Sequence, residues 1–201
     1  MRDMQIRGAG NLLGPEQHGH METVGYDMYL RLLDESISEM KGDLPKRGDF
    51  ETSVDFRTGA YIDSRYISDE DQRIDMYRSI ASVDDDEGAM DIRDELIDRY
   101  GGIPDETVRL VDIALIKNRA ASLGFSSIKE KEDMVVISYS ESSGIDIKAI
   151  GELMGKWHGK LMFSAGRQPY LSLRKKEDGV QEVLNNIKIL LHDLQKLKLP
   201  D

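Results

Sequence analysis

Hydrophobic residues recur every three to four positions through most of the first 123 residues, a spacing typical of amphipathic helices. The pattern predicts four helices, at about residues 23–41, 69–82, 85–100 and 104–123. Glycine follows three of them, as is usual where a helix ends, at Gly42, Gly101 and Gly124. Ser68, with Asp71 three residues later, predicts a capping box at the start of the second helix, with Asp in place of Glu.

The third predicted helix has an apolar side and a charged side. From their spacing, the residues predicted to face inward are Ala89, Ile92, Leu96, Ile97 and Tyr100. The outward side then carries Asp94, Glu95, Asp98 and Arg99. The last three stand at positions i, i+3 and i+4, so they share one face, and their charges are expected to be free for a partner. An ordinary solvated helix surface is the alternative.

After residue 124 the pattern changes to short runs that alternate apolar and polar residues, which is typical of strands. Four strands are predicted there, at residues 125–129, 134–139, 160–164 and 169–174, with helices at 146–157 and 179–199. Their ββαββα order places the helices on one face of a mostly antiparallel sheet. A further strand is predicted at residues 52–57. The fold class is therefore α+β, with a glycine-rich loop and helix, then a helical segment, before the sheet.

A break in the hydrophobic pattern at residues 43–49 indicates a linker, because this run contains Pro45 and Gly48. It divides the chain into an N-terminal segment of residues 1–42 and a domain of residues 49–201.

The first twenty residues contain a glycine-rich stretch that disfavours a regular helix and favours a loop. Its glycines are Gly8, Gly10, Gly14 and Gly19. Arg7 offers forked donors suited to phosphate or carboxylate, and Gln17 offers one acceptor and two donors. The stretch lacks the context of a nucleotide-binding loop, because no strand-like run precedes it and no G-K-[ST] follows. Two interpretations stay open. The stretch is either a loop that engages a neighbouring domain or nucleic acid, or a plain structural turn.

Composition narrows the class of protein. The chain has 201 residues, 39% of them hydrophobic and 32% charged, which suits a globular protein with a buried core. No apolar run approaches a membrane span and no signal peptide is visible, so a cytoplasmic protein without a membrane partner is expected. Cysteine is absent, which excludes disulfides and thiolate zinc sites. His18, His20 and Glu22 alternate in a predicted loop and are poorly pre-organised as ligands, so no metal is expected.

The net charge of −11 is concentrated in the middle of the chain. Residues 43–155 hold 14 basic and 26 acidic residues, whereas residues 156–201 hold 9 basic and 5 acidic ones. The acidic middle argues against independent binding to DNA, because phosphate contacts dominate that affinity. Arg174, Lys175 and Lys176 suit either a weak nucleic-acid patch or, more commonly, a solvated surface.

The glycine-rich stretch resembles a motif of a known protein family. Residues 2–20, R-D-M-Q-I-R-G-A-G-N-L-L-G-P-E-Q-H-G-H, followed by V-G-Y-D-M-Y-L-R-L-L, are similar to the motif after the second motor domain of the bacterial transcription-repair coupling factors, Mfd. The translocase RecG shares a looser form. In the family this motif links ATP hydrolysis to movement along double-stranded DNA. The resemblance implies that translocation-coupling role for Arg7, Gly8, Gly10, Gly14 and Gln17.

A second resemblance covers the domain after the linker. A-Y-I-D-S-R-Y-I, R-I-D-M-Y-R-S-I-A and D-E-L-I-D-R-Y-G-G-I-P are similar to the C-terminal regulatory domain of the same family. In the family this domain packs against an N-terminal domain that resembles part of UvrB, and it hides the surface that recruits the damage-recognition protein UvrA. The residues of the family contact fall here on Glu95, Asp98 and Arg99, which implies an interdomain docking role for them.

The resemblance implies that the chain is part of an ATP-dependent DNA translocase that acts on stalled RNA polymerase. ATP and magnesium would belong to the motor of the parent protein, and this chain, which lacks ATP-binding motifs, is expected to supply no catalytic residue and no cofactor site. Two alternatives stay open. One is an independent protein-binding adaptor, and the other is a fragment of a RecG-like branch-migration helicase.

Overall fold

The structure is a computed structural model that describes residues 52–140, 147–175 and 178–197, without the side chains of residues 147–149. The predicted helix at 23–41 and the predicted linker lie outside the described residues. So do the metal-ligand candidates His18, His20 and Glu22, together with the translocation-coupling residues, which are Arg7, Gly8, Gly10, Gly14 and Gln17. The boundary between the two predicted domains therefore stays a prediction.

Five helices and five strands follow one another along the described chain. The first half comprises β1 (Ser53–Asp55), α1 (Glu70–Ala81), α2 (Asp86–Tyr100) and α3 (Asp105–Ser122). The second half comprises β2 (Phe125–Glu130), β3 (Met134–Tyr139), α4 (Ile147–Lys156), β4 (Leu161–Ser164), β5 (Tyr170–Arg174) and α5 (Val180–Leu197). Each of these ten elements was predicted from the sequence, with ends that differ by at most two residues.

The five strands form one mixed sheet in the order β1-β2-β3-β5-β4. All neighbouring pairs are antiparallel except β1 and β2, which run parallel. Parallel neighbours need a long crossover connection, and here the three helices α1 to α3 supply it. The predicted α+β class with a mostly antiparallel sheet is confirmed.

One face of the sheet carries the hydrophobic core. A row of apolar side chains crosses all five strands at matched register: Val54, Ile128, Ile137, Leu171 and Phe163. Because side chains alternate between the faces of a strand, the next matched row lies on the other face. That row holds Ser53, Ser127, Ser138, Tyr170 and Ser164. The helices therefore pack on one side, as the sequence predicted.

Helix α3 lies at the centre of this packing, because α1, α2 and α5 contact it as well as β1 and β2. Apolar residues lie on more than one side of this helix, which is typical of a helix that is surrounded by other elements. The buried residues include Leu110, Val111, Ile113, Ala114, Leu115 and Ile116. Val108, one turn before Val111 and Asp112, is only half-buried.

Two details of the sequence prediction are wrong. The cap of α1 is Asp69 rather than Ser68: its extended backbone lets the carboxylate accept a hydrogen bond from the amide of Gln72 at 2.9 Å. In α2, Ile97 is 51% exposed instead of inward. The buried residues of that helix are Ala89 and Leu96. Arg93 lies beside Ala89 and Leu96 on the side toward α3, where its guanidinium group pairs with the buried Asp112.

Candidate docking face on helix α2

Helix α2 carries the three residues predicted for interdomain docking. Asp85 caps its start, where the carboxylate accepts a hydrogen bond from the amide of Gly88 at 2.7 Å. Asp86 and Glu87 follow in the first turn, where the helix dipole favours negative charge. The helix ends at Gly101, whose φ of 83° is a conformation that residues with a side chain rarely adopt.

The C-terminal end of α2 is held by two tyrosines. The hydroxyl of Tyr66 lies 3.1 Å from the carbonyl oxygens of both Leu96 and Gly101, which share its single donated proton. Its ring meets that of Tyr100 edge-on, with centroids 5.9 Å apart. The hydroxyl of Tyr100 in turn donates to the side-chain oxygen of Gln72 in α1 at 3.0 Å. The turn that carries the predicted docking residues is thus fixed to the loop before α1 and to α1 itself.

Two ion pairs fix α2 against α3. Asp86 pairs with the buried Arg119 at 2.7 Å, and Arg93 pairs with the buried Asp112 at 2.6 Å. Each helix therefore contributes one acid and one base, seven residues apart, which corresponds to about two helical turns. In both helices the acid precedes the base along the chain, and because the two helices run antiparallel the acid of each one meets the base of the other.

The pairing with Arg119 predicts how the α2–α3 contact responds to acid. The hydrogen bond from Arg119 lowers the pKa of Asp86 below its ordinary value. A carboxylate with a lowered folded-state pKa stabilises the fold above its unfolded pKa of about 3.9 and loses that contribution as pH falls through the folded value.

We therefore expect Asp86→Asn to lower the urea midpoint of unfolding at pH 7, by an amount that shrinks steadily below about pH 4. The effect is small because the Asp86 side chain is 69% exposed. Asp91→Asn, at an exposed position of the same helix, is the control. A difference between wild type and Asp86→Asn that stays constant from pH 7 into acid would contradict the assignment.

The predicted docking residues all lie at the surface of α2, but two of them are paired with each other. Arg99 donates to Glu95 at 2.6 Å, and this hydrogen bond raises the pKa of Arg99. The guanidinium carbon also lies 5.0 Å from the centre of the Tyr100 ring. The carboxylate of Asp98 is exposed and makes no hydrogen bond or ion pair with the described residues. The expectation of three free charges is thus wrong for Glu95 and Arg99.

The solvent side of α2 is acidic and contains two exposed apolar residues. Its acidic residues besides Glu95 and Asp98 are Glu87, Asp91 and Asp94, all exposed. Met90 is 58% exposed, and Ile97, seven residues later, is 51% exposed, so both lie on one side of the helix. Sequence reasoning missed this pair, because the periodicity assigned Ile97 to the core and did not consider Met90. The sequence signal for a shared surface side was the spacing of seven residues, about two helical turns, between Met90 and Ile97.

Sequence reasoning also missed the buried carboxylate of Asp112. Its signal is a single acidic residue within the apolar run L-V-D-I-A-L-I of α3, which is unusual unless the charge is paired. The partners could not be named from sequence, because Arg93, Gln181 and Lys188 lie 19, 69 and 76 residues away.

Comparison with known proteins places this arrangement in a family. The model of the TRCF domain matches residues 56–150, which include all of α2 and α3. A transcription-repair-coupling factor of Bacillus subtilis (strain 168) is 37% identical over 203 residues, covering 98% of this chain and 17% of that protein. One of Staphylococcus haemolyticus (strain JCSC1435) is 34% identical over 201 residues, covering 97% and 17%. The chain belongs to the transcription-repair coupling factor family.

A solved structure supports the fold of this coupling-factor chain. It is a crystal structure of the C-terminal domain of a transcription-repair coupling factor, with a TM-score of 0.62 and 19% identity. The match covers 74% of this chain and 94% of that one, so the two share the α+β architecture. The chain spans about 17% of the length of the curated coupling factors that it matches.

The described part of the coupling-factor chain offers neither a metal-binding cluster nor a membrane-spanning helix. Within residues 52–140, 147–175 and 178–197, no three His, Cys, Asp or Glu side chains come together in a way that could hold a metal ion. None of the helices in these ranges has the length and apolar character needed to cross a bilayer.

Proposed function

We propose that this chain is the C-terminal part of an ATP-dependent double-stranded DNA translocase that removes stalled RNA polymerase and recruits nucleotide excision repair. The domain described here regulates partner binding. It does so by docking the solvent side of α2 on a UvrB-like N-terminal domain of the same protein and thereby hiding the surface that binds UvrA. Membership of the coupling-factor family supports this proposal, together with the implied contact at Glu95, Asp98 and Arg99.

The observation that carries the docking proposal is the combination of a helix anchored on its inner side with a polar, charged outer face. The inner side of α2 is held in three ways. Leu96 is buried, the Tyr66 hydroxyl donates to the carbonyl oxygen of Leu96, and two ion pairs join the helix to α3. Its outer side offers opposite charges that suit a specific contact able to reopen. An exposed ion pair contributes only about 0.2–1 kcal/mol, so the closed state also needs shape and area.

The N-terminal segment would supply the coupling between nucleotide hydrolysis and movement. Arg7, Gly8, Gly10, Gly14 and Gln17 lie outside the described residues, so this part rests on the resemblance alone. Arg7 would bridge motor elements through charge-assisted hydrogen bonds, and Gln17 would contact the motor or the duplex. ATP and magnesium would be bound by the motor of the parent protein.

An independent protein-binding adaptor is the second candidate function. Met90 and Ile97 favour it, because exposed apolar side chains among acidic ones suit any partner with a basic, partly apolar surface. A RecG-like helicase fragment is less well supported, because the match to the TRCF domain covers residues 56–150, beyond the motif that RecG shares.

The test is the triple variant Glu95→Ala, Asp98→Ala, Arg99→Ala in the complete translocase. Weakening the closed form raises the open population, so we expect tighter binding to UvrA and higher basal ATPase. If the variant loses about 1–3 kcal/mol of the free energy of docking, the affinity for UvrA should rise roughly 5- to 150-fold. Isothermal titration calorimetry measures the affinity, and a coupled assay measures the ATPase.

The matched control is Asp71→Ala, Asp75→Ala, Arg78→Ala on α1. It also removes two acids and one arginine, and it breaks an exposed ion pair, Asp75–Arg78 at 2.7 Å. This control should leave UvrA affinity unchanged. If the α2 variant matches wild type in both affinity and ATPase, its charges are only a solvated surface and the docking proposal fails.

The 201-residue chain alone should show no DNA-stimulated ATPase.

A further inference from the structure

A buried carboxylate lies behind α2 and takes no direct part in the docking face. The Asp112 side chain in α3 is completely buried, yet it accepts hydrogen bonds from two other helices. Arg93 of α2 and Lys188 of α5 each donate to its Oδ1 atom at 2.6 Å. Gln181 of α5 donates to its Oδ2 atom at 2.6 Å. One residue of the central helix thus joins the N-terminal and C-terminal halves of the domain.

The cluster contains two positive charges and one negative charge, so its contacts depend on the single carboxylate. Two cations face the single carboxylate of Asp112, and their side chains are 30% exposed for Arg93 and 20% exposed for Lys188. Both cations can therefore reach water if the carboxylate is neutralised, so neither becomes a buried unpaired charge. Neutralising Asp112 therefore weakens the polar contacts of α3 with α2 and α5 without leaving an unpaired charge in the core.

The cluster also sets the register of α2. The pairs Asp86–Arg119 and Arg93–Asp112 stand seven residues apart on both helices, with the acid and the base exchanged. A slip of α2 by two turns would place two carboxylates or two guanidinium groups opposite each other, which costs free energy in a partly buried site. The face with Glu95, Asp98 and Arg99 is therefore presented in one position relative to the rest of the domain.

We propose that Asp112 is a positioning residue for the docking face of α2 and that the C-terminal helix α5 contributes to the same positioning through Gln181 and Lys188. This proposal rests on the proposed docking function. It adds that partner access is governed by a carboxylate that the partner never touches, and by a helix at the far end of the sequence. The docked state then requires α2, α3 and α5 together.

The primary test is Asp112→Asn in the complete translocase. The amide side chain keeps the shape but removes the charge that holds Arg93, so hydrogen exchange at the α2 amides of residues 92–100 should become about tenfold faster. Exchange in the strands should stay as in wild type. The affinity for UvrA should rise by about tenfold as the closed form weakens.

Variants at Arg93 keep the test decisive if Asp112→Asn does not fold. Arg93→Met removes the same bond from the other side, whereas Arg93→Lys keeps a cation that can reach the carboxylate. We expect Arg93→Met to act like Asp112→Asn and Arg93→Lys to retain most of the wild-type behaviour. Where the double variant folds, its effect on α2 should not exceed that of Asp112→Asn, because the contact that Arg93→Met removes is already lost in Asp112→Asn.

Lys156→Met is the matched control for the loss of a charged contact. Lys156 of α4 pairs with Asp193 on the other side of α5 at 2.7 Å, away from α2. This variant should leave α2 exchange and UvrA affinity unchanged.

The outcomes separate the two proposals. If the triple alanine variant raises UvrA affinity and the Asp112 and Arg93 variants do not, docking stands and the positioning role of Asp112 is overturned. If the triple variant has no effect, docking fails, and exchange at α2 decides the positioning role alone. Faster exchange confined to α2 in the Arg93 variants, and to α2 and α5 in Asp112→Asn, supports it. Unchanged exchange, or exchange that is faster throughout the domain, overturns it.

Discussion

Replacing Leu96 with alanine is expected to lower the free energy of unfolding by about 2–5 kcal/mol, whereas Ile97→Ala should change it by no more than about 0.5 kcal/mol. The two residues are neighbours in α2 with similar side-chain volume, but Leu96 is 0% exposed and Ile97 is 51% exposed. Truncating Leu96 removes buried apolar surface and leaves a cavity between α2 and its neighbours, while truncating Ile97 changes a side chain that already meets water.

Urea unfolding followed by circular dichroism measures both variants. For a domain of this size, the expected loss in Leu96→Ala corresponds to a fall in Tm of roughly 4–20 °C. Since the two substitutions are equally close to the docking residues, Ile97→Ala also controls for local effects on the helix. Equal losses in the two variants would show that α2 is oriented differently, with Ile97 toward the core.

The second large effect is expected in the N-terminal segment. Arg7→Ala and Gln17→Ala in the complete translocase should each reduce displacement of stalled RNA polymerase by about ten- to a hundredfold. This corresponds to the loss of a hydrogen bond that involves a charged group, about 1.5–3 kcal/mol. The physical reason is that the proposed contacts transmit the nucleotide state of the motor to its grip on the duplex.

Displacement is measured as release of a labelled transcript from a stalled elongation complex. Thermal unfolding should show that the C-terminal domain is intact in both variants. Lys46→Ala, which removes a charge in the predicted linker, is the control and should displace polymerase at the wild-type rate. Normal displacement by both the Arg7 and the Gln17 variants would remove the coupling role from this stretch.

The order and type of the elements were predictable because they depend on local patterns. Apolar spacing located α2 and α3, and the alternation around the charged turn at residues 130–133 located β2 and β3. The ends were less predictable where two suitable residues are adjacent. Ser68 and Asp69 can both cap a helix, and a buried contact decides between them: Arg73 donates to the carbonyl oxygen of Ile67 at 2.6 Å and fixes the chain before α1.

The details of the candidate site were less predictable because they depend on contacts between distant residues. Periodicity assigns Ile97 to the same inward stripe as Leu96, but the inner side of the helix is partly occupied by Arg93, which reaches Asp112. Ile97 is consequently at the surface. The pairing of Glu95 with Arg99 was within reach of the sequence, because their spacing of four residues suits an ion pair.

The parallel pairing of β1 with β2 has a consequence for the order in which the domain is assembled. Thr52, directly before β1, donates to the carbonyl oxygen of Phe125 at 2.7 Å across 73 residues of sequence. Strand β2 instead pairs with β3 across a short turn, and contacts between nearby residues form faster than those that close a long loop. During synthesis β1 therefore leaves the ribosome before the other strands, yet it has no partner until β2 has followed it. Strand β1 therefore completes one edge of this sheet only after the three helices between β1 and β2 have been synthesised.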